Sequence, residues 1–270
     1  MLQEHMKQSL DLTNLNTSAT RSDILALCNE ADRNRQFVAA VCSWSKFAPY
    51  IHTELRTTGI KTAVVVNFPD GTDTVETVVR GVKRALFYNV EEIDLVIDYE
   101  RYNNEQNGVF ELVNAVRMIS DNFTLKVILE TGGLKPSLIY PASWAAMVAG
   151  ANYLKTSTGK LSIGATLGAT KYMCEAVQRY YLINDRRVGL KYSGGIKTAL
   201  DAQKFIWQLH QYDLGAWLKH GLIRFGVGTS SSVLEEWSKI PVPFSSSALR
   251  GATQLASENL KTLSELAKRR

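Results

Sequence analysis

Short runs of apolar, often β-branched residues alternate along the chain with longer segments in which apolar residues recur at helical spacing. Runs of about four to eight such residues are typical of buried strands, and recurrence every three to four residues is typical of amphipathic helices. The strand-like runs lie at 9–13, 37–43, 62–68, 92–98, 125–130, 152–157, 188–193 and 223–229. Helical spacing follows Ser22, continues over 72–88 with Thr72 or Asp73 as the expected N-cap, and extends over 198–220.

Eight strand signals separated by helix signals predict a single (β/α)8 TIM barrel, a fold that commonly needs about 250 residues. The competing fold is an open doubly wound sheet, which usually has a glycine-rich turn after its first strand. Here that turn, at 14–17, reads NLNT and contains no glycine. No linker or break in composition divides the chain, so we expect one domain over 1–270. Its last segment, about 245–270, has the spacing of a terminal helix.

The composition narrows the possible partners. The chain is 45% hydrophobic, enough for a large core, and its 31 Lys and Arg residues against 26 Asp and Glu residues give a net charge of +5. A mild basic excess suits anionic small molecules. A nucleic-acid-binding protein should cluster basic and aromatic residues on one element. No such cluster lies inside this chain, so no nucleic-acid partner is expected.

The cysteines and the N-terminal residues indicate a compartment. Cys28, Cys42 and Cys174 are widely spaced and have no CxxC motif and no histidine at metal-ligand spacing. Reduced thiols and no metal site are the simplest interpretation. The first ten residues, MLQEHMKQSL, lack the apolar stretch of a signal peptide, and no apolar run approaches the ~20 residues of a membrane span. These features predict a cytoplasmic protein without a membrane segment.

Strand alternation places charged side chains inside the predicted barrel, because successive side chains point to opposite faces of a strand. With the most apolar positions placed outward against the helices, the inward positions are Asp94, Val96, Asp98, Lys126, Ile128, Glu130, Lys155 and Lys191. Ion pairing for structural reasons explains one lysine–carboxylate couple well but explains several less readily. In such barrels the C-terminal strand ends carry the chemistry.

Two inward lysines on neighbouring strands favour a nucleophilic amine. A free lysine titrates near pH ~10.4, so a neutral amine near pH 7 needs its pKa lowered by about three units, or about 4 kcal/mol. A buried like charge ~4 Å away supplies about that much at an effective dielectric constant near 20. We therefore expect Lys191 to lower the pKa of Lys155. Asp94 should not contact the nucleophile directly, but should hold the second lysine or a water in a proton relay.

Three strand ends combine glycine with small hydroxyl residues, which favours phosphate binding. They read TSTGK at 156–160, SGGI at 193–196 and GVGTS at 226–230. Glycines let backbone N–H groups approach an anion, and phosphate sites often follow the last two strands of this fold. Glycine–serine turns are also ordinary loop chemistry, so one such turn alone would indicate little.

Several of these motifs resemble those of the deoxyribose-phosphate aldolase family of class I aldolases. They are KTSTGK around Lys155, GLKYSGG around Lys191 and EIDLVI around Asp94. The similarity continues in LDLTNL (10–15), VNFPDG (66–71), KVILETGGLK (126–135) and RFGVGTSS (224–231), so it spans almost the whole chain in order.

The resemblance implies a role for each matched residue. Lys155 would form the Schiff base, Lys191 would be the second lysine that lowers its pKa, and Asp94 would be the acid of the proton relay. Four residues would line the substrate site: Asp11, Thr13, Cys42 and Thr156. Six residues would surround the phosphate: Gly159, Lys160, Gly194, Gly195, Gly228 and Ser230. Cys42 is explained equally well as a core residue and Thr13 as a turn residue, without a role in the site. Cys174 is expected to be a packing residue.

The family cleaves 2-deoxy-D-ribose 5-phosphate reversibly to D-glyceraldehyde 3-phosphate and acetaldehyde, in carbohydrate degradation and deoxyribonucleotide catabolism. The resemblance thus implies a carbon–carbon lyase without metal or organic cofactor, whose partners are this phosphorylated substrate and acetaldehyde. It leaves open whether the chain forms a homodimer or a higher homo-oligomer. The alternatives are a Schiff-base aldolase for another phosphorylated aldol and a non-catalytic barrel that binds a phosphorylated ligand.

Two positions depart from the family pattern. Tyr192 follows Lys191 where a small residue or proline is usual, so we expect a narrower pocket beside the second lysine. Gly226 and Gly228 both lie where the phosphate contact is expected, and Gly228 is preferred because GTSS follows the pattern best.

Overall fold

The structure is a computed structural model that describes residues 7–228 together with Val233 and Glu236. Its eight strands are all parallel and close into a barrel in chain order. The strands are β1 (Leu10–Thr13), β2 (Val38–Trp44), β3 (Lys61–Val66), β4 (Glu92–Val96), β5 (Thr124–Ile128), β6 (Tyr153–Lys155), β7 (Gly189–Ser193) and β8 (Ile223–Val227). This architecture confirms the predicted (β/α)8 barrel.

Helices lie between the strands along the chain. They are α1 (Arg21–Arg33), α2 (Ala48–Leu55), α3 (Val75–Phe87), α4 (Tyr99–Glu105), α5 (Val109–Arg117), α6 (Pro136–Val148), α7 (Leu167–Asn184), α8 (Ala199–Gln211) and α9 (Ala216–Lys219), with a 3-10 turn at Ser45–Phe47. Four of them begin at a threonine whose hydroxyl accepts a hydrogen bond from the backbone N–H three residues later: Thr20, Thr74, Thr166 and Thr198. Such caps satisfy N–H groups that the helix itself leaves unpaired.

Two helix predictions are wrong in detail. The N-cap of α3 is Thr74, because the backbone N–H of Asp73 is instead bonded by the side chain of Asn67. The predicted helix over 198–220 is divided into α8 and α9. The chain leaves the helical path at Asp213, whose φ of 55° lies in the left-handed region.

Strands β3, β4, β5 and β6 each end two residues before their predicted limits. For β3 and β5 the reason is backbone conformation, since Asn67 has a φ of 58° and Glu130 a φ of 52°. Neither value continues a strand. The side chain of Asn67 stabilises its turn by donating to the carbonyl oxygens of Gly71 and Val96. Both turns lie at the C-terminal ends of their strands, where the loops of the candidate site begin.

The main apolar core lies between the barrel and the helices. Outward residues of the strands, such as Ile93, Leu95, Leu154 and Leu190, are fully buried there, as alternation predicts. Of the described helices, none has the length and apolar character needed to cross a membrane. The predicted terminal helix at about 245–270 lies outside the described residues and stays a prediction.

Candidate active site

Three lysine side chains converge on Asp94 inside the barrel. Asp94 Oδ2 lies 2.7 Å from Lys155 Nζ and 2.8 Å from Lys191 Nζ, and Asp94 Oδ1 lies 3.1 Å from Lys126 Nζ. All four residues are almost completely buried. They come from β4, β5, β6 and β7, which are neighbours in the barrel. Alternation along these strands correctly placed all four side chains inward.

The contact between Asp94 and Lys155 corrects one expectation. Asp94 was expected to avoid the nucleophile, yet the same carboxylate oxygen accepts hydrogen bonds from both Lys155 and Lys191. The physical reason is that the lysine side chains are long, so those from β6 and β7 both reach across the barrel interior to the short Asp94 side chain on β4. Asp94 therefore links the two amines directly.

Burial and the neighbouring charges shift the pKa values of Lys155 and Lys191 in opposite directions. Burial lowers the pKa of Lys155, and the charge of Lys191 lowers it further, although Asp94 opposes both effects. Burial also works against a charged Lys191, but Asp11 and Asp94 outweigh it and raise the pKa of that lysine. A proton is thus held on Lys191 more readily than on Lys155. This is the arrangement that a lysine nucleophile needs.

Below these residues, Asp11 joins a second set of ion pairs. Its Oδ2 lies 2.6 Å from Lys191 Nζ and 3.0 Å from Lys126 Nζ, and its Oδ1 lies 3.2 Å from Arg224 Nη1. Glu92 completes the set at 2.6 Å from Lys126 Nζ and 3.5 Å from Arg224 Nη2. Asp11, predicted to line the substrate site, is fully buried among cations, and its contact with substrate stays a prediction.

Sequence reasoning missed Glu92 and Arg224. Glu92 precedes Asp94 by two residues, so the alternation that turned Asp94 inward also indicates Glu92. Arg224 lies on β8 between the buried Ile223 and Phe225, which indicates an inward side chain in the same way. Both signals were present in the pattern.

Cys42 and Thr13 lie at the site in different ways. Cys42 is fully buried, with its Sγ 4.0 Å from Asp94 Oδ2. Burial and the Asp94 charge raise the pKa of Cys42 to about 11, so it is a thiol near pH 7. Thr13 lies in the wall of the cavity above the lysines, and its hydroxyl donates to the carbonyl oxygen of Asp11.

Thr156 connects β6 with β7. Its hydroxyl donates to the carbonyl oxygen of Ser193 and accepts a hydrogen bond from the backbone N–H of the same residue, each at 3.0 Å. Both of its hydrogen-bonding roles are thus filled by Ser193. Thr156 therefore links the C-terminal ends of β6 and β7, where two of the glycine-rich loops begin.

A cavity of about 680 Å³ opens above Lys155, bounded by loops that follow β1, β6, β7 and β8. Five of the residues predicted to surround a phosphate line it: Gly159, Lys160, Gly194, Gly195 and Gly228. Ser230 lies outside the described residues. The cavity is also lined by Thr158 and Ser193, which belong to the predicted glycine–hydroxyl motifs, and by Asn16 and Lys197, which were not predicted. Lys197 follows the SGGI motif by one residue, so its position in that loop was the available signal.

Gly226 in β8 and Gly228 just after it differ in their surroundings. A Cβ atom at Gly226 would lie 2.9 Å from Cβ of Ser193 and 3.4 Å from Cε of Lys191, whereas one at Gly228 would meet no atom within 4 Å. Gly226 therefore leaves room for the Lys191 side chain. Gly228 is exposed and lines the cavity, as Gly226 also does, so the preference for Gly228 as the phosphate-side residue stays a prediction.

The expectation that Tyr192 narrows the pocket is wrong. Tyr192 is fully buried in the layer between barrel and helices, where its ring stacks on Phe205 of α8 and Phe225 of β8 with centroid distances of 4.6 and 5.5 Å. Its hydroxyl lies 4.0 Å from Cys174 Sγ. Because Tyr192 is next to Lys191 on the strand, it points to the opposite face.

Comparison with known proteins agrees with the fold and identifies the family. The family model described as "DeoC/LacD family aldolase" matches residues 5–227. A candidate deoxyribose-phosphate aldolase from Coccidioides immitis is 28% identical, with a TM-score of 0.73 over 87% of this chain and 85% of the other. A candidate from Toxoplasma gondii ME49 is 26% identical, with a TM-score of 0.78 over 88% and 95% of the two chains.

A third solved structure, the tetrameric deoxyribose phosphate aldolase from Aeropyrum pernix, is 21% identical, with a TM-score of 0.69 over 87% of this chain and 92% of that one. At that identity the likeness shows the shared barrel alone. The family model, in contrast, covers most of the chain, including every strand and all three inward lysines. The chain therefore belongs to the DeoC/LacD family of aldolases.

Proposed function

We propose that this protein cleaves 2-deoxy-D-ribose 5-phosphate reversibly to D-glyceraldehyde 3-phosphate and acetaldehyde through a Schiff base on Lys155. The observation that carries the proposal is the pair of buried amines, Lys155 and Lys191, joined by one oxygen of Asp94 at the base of a glycine-lined cavity. The motifs around these residues, and relatives described as candidate deoxyribose-phosphate aldolases, support this substrate.

In the first step, the neutral amine of Lys155 attacks the C1 carbonyl carbon of the open-chain sugar. The carbinolamine loses water and becomes an iminium ion. The bond between C2 and C3 then breaks. Its electron pair moves toward the iminium nitrogen to give an enamine, while the C3 hydroxyl loses its proton and becomes the aldehyde of glyceraldehyde 3-phosphate. Protonation of the enamine at C2 gives the imine of acetaldehyde, and water releases acetaldehyde and restores Lys155.

The proton transfers are assigned to Asp94 and Lys191, acting with a water molecule. Asp94 Oδ2 accepts hydrogen bonds from both amines, so a proton that leaves one amine has an acceptor already in contact with the other. Burial would raise the pKa of Asp94, but Lys126, Lys155 and Lys191 together hold it well below its usual range. Asp94 is thus a carboxylate except while it passes a proton on, and it stabilises positive charge at the iminium.

The cavity above Lys155 suits the phosphate end of the substrate. Gly159, Gly194 and Gly195 have φ between 79° and 87°, the left-handed conformation that glycine adopts without strain and in which successive N–H groups form an anion-binding concavity. Lys160 and Lys197 add positive charge to the same wall. The covalent and phosphate-binding halves of the proposal therefore share one cavity.

A retro-aldol assay across sugar phosphates tests the substrate. Release of acetaldehyde from 2-deoxyribose 5-phosphate should be much faster than aldehyde release from other phosphorylated aldols. It should persist after exhaustive EDTA treatment, since the proposed reaction uses no metal or organic cofactor. Faster turnover of a different phosphorylated aldol would favour the alternative of another Schiff-base aldolase. Tight binding of sugar phosphates without any turnover would favour a non-catalytic barrel.

A further inference from the structure

Glu130, at the C-terminal end of β5, is a buried acid for which the reaction above has no use. It is 1% exposed, its backbone lies in the left-handed region at a φ of 52°, and its Oε1 is buried without a hydrogen-bond partner among the described residues. Burial raises the pKa of Glu130, although hydrogen bonds from Thr158 and the nearby charge of Lys155 favour its carboxylate. Backbone strain and an unpaired buried oxygen are costly, and they concentrate at functional sites.

The other oxygen of Glu130 is fully used. Its Oε2 accepts a hydrogen bond from the backbone N–H of Thr158 at 3.0 Å and a short one from the Thr158 hydroxyl. The hydroxyl oxygen of Thr158 in turn accepts from the backbone N–H of Lys160 at 3.1 Å. Next to this contact, Thr131 N–H donates to the carbonyl oxygen of Thr156 at 2.8 Å. Hydrogen bonds thus join the end of β5 to the loop that follows β6.

That loop, residues 156–160, contains the cavity residues Gly159 and Lys160. Gly159 has a φ of 79°, and no atom lies within 4 Å of the position that a Cβ atom would take, so no packing on that side restrains it. A glycine without packing partners has many accessible conformations, and fixing it needs hydrogen bonds elsewhere in the loop. The bonds from Thr158 to Glu130 and from Lys160 Nζ to the carbonyl oxygen of Leu15 supply them.

We propose that Glu130 is a positioning residue that holds the 156–160 loop in the conformation that binds the phosphate group of the substrate. This inference rests on the proposed function, because it assigns Gly159 and Lys160 to the phosphate. The inference goes beyond the proposed function by naming the acid that holds the loop in its conformation. Glu130 sets how strongly phosphorylated substrates are preferred over unphosphorylated ones.

The test compares cleavage of 2-deoxyribose 5-phosphate with cleavage of 2-deoxyribose. Glu130→Ala removes both hydrogen bonds to Thr158, Thr158→Val removes only the one from its hydroxyl, and Thr158→Ser keeps the hydroxyl. Loss of a hydrogen bond to a charged group corresponds to about tenfold or more. We therefore expect the ratio of kcat/KM for the two substrates to fall about tenfold or more in the first two variants, through KM for the phosphorylated sugar. Thr158→Ser should recover most of the ratio, and Glu54→Ala, an exposed acid on α2, should leave it unchanged.

Two results would overturn the inference. One is an unchanged ratio in both Glu130→Ala and Thr158→Val. The other is an equal loss of kcat for both sugars, which would assign Glu130 to the covalent chemistry or to general stability. If Glu130→Ala does not fold, Thr158→Val decides, because it removes only a hydroxyl.

Failure of the proposed function would look different. The unaltered protein would then cleave neither sugar, and the loop would be tested by binding of inorganic phosphate measured calorimetrically. A Kd raised about tenfold or more in Thr158→Val would support the role of Glu130, and an equal Kd would contradict it.

Discussion

At the scale of single residues, the inside of the barrel holds four cationic side chains and three carboxylates in mutual contact. The cations are Lys126, Lys155, Lys191 and Arg224, and the carboxylates are Asp11, Glu92 and Asp94. With all seven of these groups ionised, the cluster carries a net charge of +1, and Glu130 interacts with Lys155 from outside the cluster. The cluster is electrically balanced when one amine is neutral. Lys155 is the amine with the lowered pKa, so charge balance and burial select the same residue.

The identity of these residues was largely predictable, but their contacts were not. Strand alternation turned Lys126, Lys155, Lys191 and Asp94 inward, because it depends only on the period of two. Which amine meets which oxygen depends on barrel radius and strand register, which no local pattern contains. This is why the direct contact between Asp94 and Lys155 was missed.

Replacing Lys191 by methionine should move the titration of Lys155 upward. The methionine removes a buried positive charge that shares an oxygen of Asp94 with Lys155, so protonation of Lys155 becomes easier. We expect the apparent pKa for imine formation with acetaldehyde to rise by about one to three units. Imine formation would then be slower near pH 7 and recover at alkaline pH. The measurement is the rate of borohydride-trapped imine as a function of pH.

Lys191→Arg is the matched control for that experiment. It keeps the positive charge, so the apparent pKa should stay close to that of the unaltered protein. An unchanged apparent pKa in Lys191→Met would show that Lys191 does not tune the nucleophile.

At the scale of elements, the strand ends carry the site, and their details decide its shape. The order of strands and helices followed from hydrophobic periodicity. The ends did not, since Thr74 replaced the predicted N-cap and Glu130 turned the chain two residues early. Tyr192 shows the opposite case. The alternation that turned Lys191 inward already predicts an outward Tyr192, and the comparison with the family pattern obscured it.

Gly226 on β8 gives an element-scale prediction. An alanine at this position would press against Cβ of Ser193 and crowd Cε of Lys191. We expect Gly226→Ala to lower the free energy of unfolding by about 1–3 kcal/mol and to reduce kcat by displacing the Lys191 amine. Thermal unfolding and steady-state kinetics measure both effects.

Gly228→Ala is the comparison, because the new methyl group would meet no atom within 4 Å. Its unfolding free energy should stay within about 0.5 kcal/mol of that of the unaltered protein. Equal stability and equal kcat in the two variants would contradict the steric role given to Gly226.

At the scale of the whole molecule, closure of the barrel assembles the site. The ion pair between Asp11 and Arg224 joins residues 213 positions apart in sequence, and the charged cluster draws on six of the eight strands. The sequence predicted the closed barrel because eight strand signals alternate with helices. The cavity above it depends on loops that follow four strands, and loop conformation has no periodic signal.

The buried carboxylates predict the acid stability of the molecule. Asp11 and Asp94 have pKa values below the usual 3.8, so they stabilise the fold at higher pH and lose that contribution as pH falls from about 5 through their lowered pKa values. Two such protons give a slope of up to about 2.7 kcal/mol per pH unit. The raised pKa of Glu130 works in the opposite direction. Denaturant unfolding between pH 6 and pH 2 measures the slope.

Measurements at high salt distinguish protonation of the buried carboxylates from repulsion between surface charges as the cause of acid unfolding. Salt near 1 M shortens the screening length to about 3 Å and weakens surface interactions, but it reaches buried pairs much less. The acid slope should therefore persist at high salt. Its disappearance would assign acid unfolding to surface charge instead of the barrel interior.

The central claim is that Lys155 is the nucleophile. Incubation with acetaldehyde, reduction with borohydride and peptide mapping test it directly, because reduction of the imine leaves an ethyl group on the amine that formed it. We predict the ethyl group on Lys155, its absence from Lys126 and Lys191, and no labelling inside the barrel of Lys155→Met. Labelling of Lys191 or Lys126 in the unaltered protein, or no specific labelling at all, would contradict the account.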